Sequence, residues 1–308
     1  MAYGYGYAVV AHSRRVIYST DQGAKNPFTA APNGFGVMYG STKKPDFESY
    51  EAGADHFLNA MFTYDANDKL TGMIVNIPCP SQLSEHFTKL SADYWCEVRQ
   101  AVAKEFGEDV YVLPQCAAAG DLSPRTLHYK EAQARRFALK YDLHYEVENV
   151  RANNADEYAK VMGERYDIAE RVIEGLKDIY SWAKKDIQKD VPVRHIAKTL
   201  QIHKRTVTKE EADRAIANIE IIRAGMPKEG ELPPDEYSKK VTSYNSYIGR
   251  NQRALNRYNE EAPEQTMETV LHTVQVGDIA FATNRFELYM DFMHQIQARS
   301  PFIQTFVV

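Results

Sequence analysis

The chain has no apolar run near the roughly 18 residues needed to cross a bilayer, so nothing in it reads as a membrane span. Cysteine is scarce: Cys79, Cys96 and Cys116 are the only three in 308 residues. That is too few for a disulfide framework, and their spacing is not that of a zinc motif. One disulfide with a thiol left over remains open; free, mostly buried thiols are the commoner state. Basic charge is not in excess. The formal net charge is -5, which gives no electropositive footprint and argues against a nucleic-acid partner. Internal repeats and low-complexity tracts are missing as well. The start, Met1-Ala2-Tyr3-Gly4-Tyr5-Gly6, has neither a charged leader nor a long apolar core, so it does not read as a signal peptide.

What is present is ordinary for a globular protein: 44% hydrophobic and 26% charged residues. The length suits one large domain or two small ones. Residues 7–19 place Val9, Val10, Val16, Ile17 and Tyr18 around a polar centre, His12-Ser13-Arg14-Arg15, and predict two strands or one interrupted strand. From there to about Tyr50 the chain is rich in Gly, Pro, Asn and Lys and predicts a long surface loop. Phe57 to Tyr64 and Leu70 to Ile77 predict a hairpin around Asp65-Ala66-Asn67-Asp68. A helix is expected from Ser91 to Gly107, with Asp93 in its first turn and Trp95, Val98, Val102 and Phe106 on one face.

Residues 129–225 read as mostly helical. The candidates are Lys130–Tyr141, a long amphipathic stretch from Ala155 to Ile187, and Thr208–Ala224 with a Thr208-x-x-Glu211 capping box. Pro234–Tyr258 is a further helix. Strand character returns with Val270, His272, Val274 and Val276, then Gly277-Asp278 as a turn and Ile279-Ala280-Phe281. Glu287–Gln297 reads as a last helix and Ile303–Val308 as a last strand. The expected fold class is α/β: a mixed sheet core with helices packed on it and a helical insertion over about residues 129–260.

One stretch stands apart. Val110 to Cys116 predicts a buried strand, which breaks into Ala117-Ala118-Ala119-Gly120 and then Asp121-Leu122-Ser123-Pro124. Three small residues and a glycine allow close approach of the backbone. An acid and a hydroxyl follow at once. A strand, helix, strand order with such a loop after the second strand is where open α/β sheets place their ligands. Taken alone, the stretch also fits a strand followed by an Asx- or Ser-type turn.

Gly120-Asp121-Leu122-Ser123-Pro124 resembles the Gly-Asp-x-Ser-Pro signature of the neutral/alkaline, non-lysosomal ceramidase family. Val75-Asn76-Ile77 through Ser91-Ala92-Asp93-Tyr94-Trp95 lies at the family's distance upstream, and Phe286-Glu287-Leu288 leads into Ile296-Gln297-Ala298-Arg299-Ser300-Pro301-Phe302, similar to the segment that carries its zinc glutamate. The resemblance runs from near residue 8 to the end and is to a divergent branch. It implies a single partial catalytic domain over residues 1–308. The family's first zinc histidines would lie before residue 1, its zinc-ligand tyrosine just after Val308, and its secretion signal upstream; a family-like location would be secreted or periplasmic.

The resemblance also implies roles. Ser123 would be the nucleophile on an N-acyl amide, with Asp121 beside it orienting the loop. Zinc would activate a hydroxyl that is otherwise a poor nucleophile; no Gly-x-Ser-x-Gly elbow is present to do so. Glu287 would be the remaining zinc ligand, read otherwise as an acid at a helix start. Where the family has a ligand histidine this chain has Pro80, which cannot bind metal, so adjacent Cys79 and nearby His86 become the substitute candidates. Arg14 falls in a polar family segment near the reaction centre and would, by the resemblance, steady an oxyanion; as sequence, Arg14-Arg15 reads as a surface basic pair. The implied activity is a zinc-assisted serine amidohydrolase acting on an amide-bearing lipid or small molecule. The alternative is a relative with a changed substrate or no turnover. A helical interaction module is a third reading, and it leaves the Gly120 loop unexplained.

Overall fold

The structure, a computed structural model, describes residues 1–22, 34–150, 154–260 and 266–308. Two four-stranded mixed sheets form its frame. In the first the order is β1-β6-β7-β8, from β1 (Ala2–Tyr7), β6 (Phe57–Tyr64), β7 (Leu70–Ile77) and β8 (Tyr111–Cys116). The hairpin β6–β7 forms where alternation places it, and β7 pairs with β8 in parallel through the crossover helix α1 (Trp95–Phe106). In the second sheet β10 (Val193–His203), β11 (Thr266–Val276), β12 (Ile279–Thr283) and β13 (Gln304–Val307) are neighbours in that order, the last pair parallel.

Alternation decides which faces meet. Phe62 of β6 and Val75 and Ile77 of β7 turn toward α1 and α3 (Ala155–Ala183), whose Val98, Val102, Val172, Leu176 and Ile179 complete the main core. Met61 and Ile74, on the opposite face, meet Ile279, Phe281 and Phe306 of the second sheet. The layers therefore run helices, sheet, sheet. Gly4 lets α3 sit close: a Cβ there would lie 2.2 Å from the Trp182 ring.

Several expectations are corrected. The region before Tyr50 is not all loop: β3 (Arg15–Tyr18) pairs with β4 (Gly36–Met38) and β5 (Phe47–Tyr50), while residues 23–33 lie outside the described residues. Helix α1 starts four residues later than Ser91, because Asp93 turns back with φ 54° and its carboxylate accepts the Ser84 amide at 2.6 Å. Strand β8 is not buried. It is a sheet edge, where Tyr111 is 80% exposed and Pro114 is tolerated. The insertion holds the helices α2 (Lys130–Tyr141), α4 (Lys209–Ala224) and α5 (Pro234–Asn259), with the capping box at Thr208, but β10 crosses it as an eleven-residue strand. Helix α6 begins at Met290 and leaves Glu287 in the preceding turn.

Candidate functional site

The Gly120 loop is held from three sides. The short strand β9 (Leu122–Ser123) pairs antiparallel with β2 (His12–Ser13), and the next rung is the Arg14 amide donating to the Asp121 carbonyl at 2.9 Å. From the far end of the chain, Leu288 accepts the Gly120 amide at 2.8 Å. The contact is too close for any side chain at position 120: a Cβ there would lie 2.3 Å from the Glu287 carbonyl oxygen. That is the physical reason for the glycine.

Arg14 closes the arrangement and is not a surface cation. It is 5% exposed. Its Nη2 donates to the Gly120 carbonyl at 2.7 Å and to Glu287 Oε1 at 3.0 Å, and its Nε donates to the same carbonyl at 3.2 Å. Nη1 donates to the Tyr39 hydroxyl at 3.1 Å. Burial opposes the charge on Arg14, but the bonds to Tyr39 and Glu287 outweigh it and move its pKa up. Asp121 is buried, and burial pushes its pKa up, partly opposed by the Met290 amide that donates to it at 3.1 Å. Asp121 thus ties the loop to the start of α6 as an orienting acceptor.

Ser123 is 1% exposed, and its Oγ accepts the Arg125 amide at 3.1 Å. Among the described residues its own proton is given to no acceptor. The residue directly opposite in the β2–β9 pair is His12, and opposed side chains of an antiparallel pair share one face with Cβ atoms about 4.5–5.5 Å apart. Burial pushes the His12 pKa down to about 4, with His56, Arg171 and His128 adding in the same direction and Asp167 opposing. The His12 ring is therefore neutral at neutral pH, and among the described residues no hydrogen bond joins it to Ser123 Oγ. The structure brings together Arg14, Asp121, Glu287 and the main chain leading to Ser123. The small cavity of about 170 Å³ beside Glu287 is lined by Ala117, Ala118 and Ala119 and not by Ser123.

The three expected metal ligands stand differently. Glu287 is paired with Arg14. Cys79 is fully buried, its Sγ lies 3.3 Å from the Val10 carbonyl, and burial pushes its thiol well up, away from the thiolate that binds metal. His86 is half-exposed, with Nε2 3.5 Å from Glu85. Among the described residues no three of His, Cys, Asp and Glu come together as a metal site. Glu287, Cys79 and His86 therefore do not make a zinc site with one another.

Sequence reasoning did not single out Tyr39 and Gln82, which share the Arg14 guanidinium. Tyr39 lies in a stretch without periodicity, and its φ of 58° is an unusual value for a tyrosine that no local pattern announces.

No protein-family model and no curated protein matches the chain. Among solved structures the chain is similar to neutral ceramidase from Pseudomonas aeruginosa, with a TM-score of 0.48 and 14% identity over 96% of this chain and 41% of that one. It is also similar to a ceramidase complexed with C2, with a TM-score of 0.47 and 13% identity over 99% of this chain and 45% of that one. It spans less than half the length of either ceramidase, and no helix among its described residues is long and apolar enough to cross a membrane.

Proposed function

We propose that the protein is a hydrolase of the ceramidase type that cleaves an N-acyl amide with Ser123 as nucleophile. The observation that supports this reading most is the double contact of Arg14 with the Gly120 carbonyl and Glu287, which welds the Gly-Asp-x-Ser loop to the acid near the other end of the chain. In the reading, Ser123 Oγ bonds to the amide carbonyl carbon while its proton passes to the neutral His12 ring. The C–N bond then breaks, and His12 returns the proton to the departing amine. Water attacks the acyl-serine, releases the acid and restores the hydroxyl. Arg14 and Asp121 position the loop through the bonds described above. The residues that the resemblance offers as zinc ligands do not converge, so these steps draw only on side chains.

The test is turnover of a panel of N-acyl amides and esters, with labelling by a fluorophosphonate. The reading expects Ser123→Ala to lower turnover at least about a hundredfold and to abolish labelling. Zinc analysis of the wild type and Glu287→Ala decides the metal: one zinc per chain, lost in the variant, would bring it into the reading. A second reading is a relative that binds an amide without cleaving it. The 1% exposure of Ser123 and the neutralisation of Glu287 by Arg14 favour it. Ligand binding with no turnover and no labelling would select it.

A further inference from the structure

The outer face of the second sheet is only partly covered. Helix α6 lies over the β12–β13 side and leaves a groove of about 560 Å³ against β10 and β11, within the range of small-ligand sites. Its walls are Leu200 and Ile202 from β10, Leu271 from β11, and Phe286, Phe292 and Ile296 along α6 and the turn before it. Phe292 is 56% exposed and Phe286 42%. Large apolar side chains gathered in one exposed groove mark an interaction site.

Two polar features give the groove a direction. Arg299, at the last turn of α6, is the one charged side chain on the wall; it donates to the Gln295 carbonyl at 3.1 Å, and among the described residues no carboxylate pairs with it. Toward the opposite end, where Arg285 donates to the Glu268 carbonyl, Thr269, 3% exposed, lines the wall with an Oγ1 that has no hydrogen-bond partner. At the end away from Arg299, Asn284, Phe286 and Leu288 are shared with the small cavity beside Glu287. A ten-residue helix is about 15 Å long, the reach of a saturated chain of about a dozen carbons.

We propose that this groove binds an unbranched fatty acid, the chain lying along α6 between Leu271 and Phe292 and the carboxylate meeting Arg299. A long apolar trough ending in a cation that no carboxylate among the described residues pairs suits an amphiphile with a single anionic head. The site meets the clasp of the Gly120 loop at Leu288, and the proposal stands whether or not Ser123 is a nucleophile.

Calorimetric titration of the full chain with dodecanoate tests it. The wild type binds dodecanoate, and affinity rises up to about fourfold per methylene from eight to twelve carbons. Arg299→Gln weakens dodecanoate about tenfold and leaves 1-dodecanol unchanged. Ile296→Glu, at a partly exposed position, loses both ligands while its unfolding transition stays at the wild-type position. Ser123→Ala binds as the wild type does. Affinity independent of chain length, or equal dodecanoate affinity in Arg299→Gln, overturns the proposal. So does a dimer in sedimentation that Phe292→Glu splits, since a second copy would then cover the groove.

Discussion

Arg14 Nη2 lies 3.0 Å from Glu287 Oε1, across 273 positions of sequence, while the same nitrogen holds the Gly120 carbonyl at 2.7 Å. The pair is lopsided: the Arg14 side chain is 6% exposed and that of Glu287 61%. Removing the buried partner strands a buried carbonyl, so Arg14→Ala is expected to cost about 2–4 kcal/mol. Glu287→Ala removes a solvated carboxylate while the Gly120 carbonyl and the Tyr39 hydroxyl still hold the buried guanidinium, and is expected to cost less than Arg14→Ala. Urea unfolding of both variants checks this. Equal losses would mean that the Gly120 carbonyl gains nothing from Arg14.

Position 120 tolerates no side chain. Gly120→Ala sets a methyl against the Glu287 carbonyl and the Tyr289 ring, and is expected to cost about 1–3 kcal/mol as an overpacked contact. Gly53→Ala is the control, because nothing lies within 4 Å of its added methyl. Matching denaturation midpoints for the two variants would contradict the close approach.

His12 makes stability depend on pH. Its folded pKa, about 4, lies below the ordinary histidine value of 6.5, so between those values the unfolded chain binds more protons than the folded one. Stability then rises with pH across that window. The His12 contribution is complete above about pH 6.5 and falls away toward pH 4 by about 1–3 kcal/mol. Unfolding free energies at pH 5 and pH 7.5 should differ less in His12→Asn than in the wild type. An unchanged difference would show that the ring is solvated.

Cys79 should be inert. With 0% exposure and its pKa raised by burial, it should resist a maleimide at pH 8 in the folded protein and react after denaturation. Mass spectrometry of the labelled peptide reads the outcome. Rapid labelling in the native state would reveal a reachable thiolate and return Cys79 to the list of metal-binding candidates.

The parts of the fold that follow a period were legible. The hairpin β6–β7, the face of α1 and the Thr208 capping box each state themselves within a dozen residues. Strand β10 was not, because its Val193, Ile196, Leu200 and Ile202 do not alternate strictly and it is exposed along most of its length. At the site, the Gly120 loop stood out by its small residues, whereas Arg14 was ambiguous: the same residue serves as a surface cation or as a buried clamp according to what arrives from position 287. Tyr39, Gln82 and the pairing of His12 with Ser123 depend on chain pairings that no short window contains.

The ladder between β10 and β11 runs on past β12: Lys198–His203 pairs only with Thr266–Leu271, a two-stranded stalk. It carries α4 and α5, which pack on each other around Ile219, Ile222 and the Asn218–Asn251 bond. Such an appendage is modular. Shortening it would reshape the Leu200–Ile202 wall while the clasp of Arg14 on the glycine loop stays untouched. The shape of that wall and the clasp on the glycine loop are thereby structurally independent.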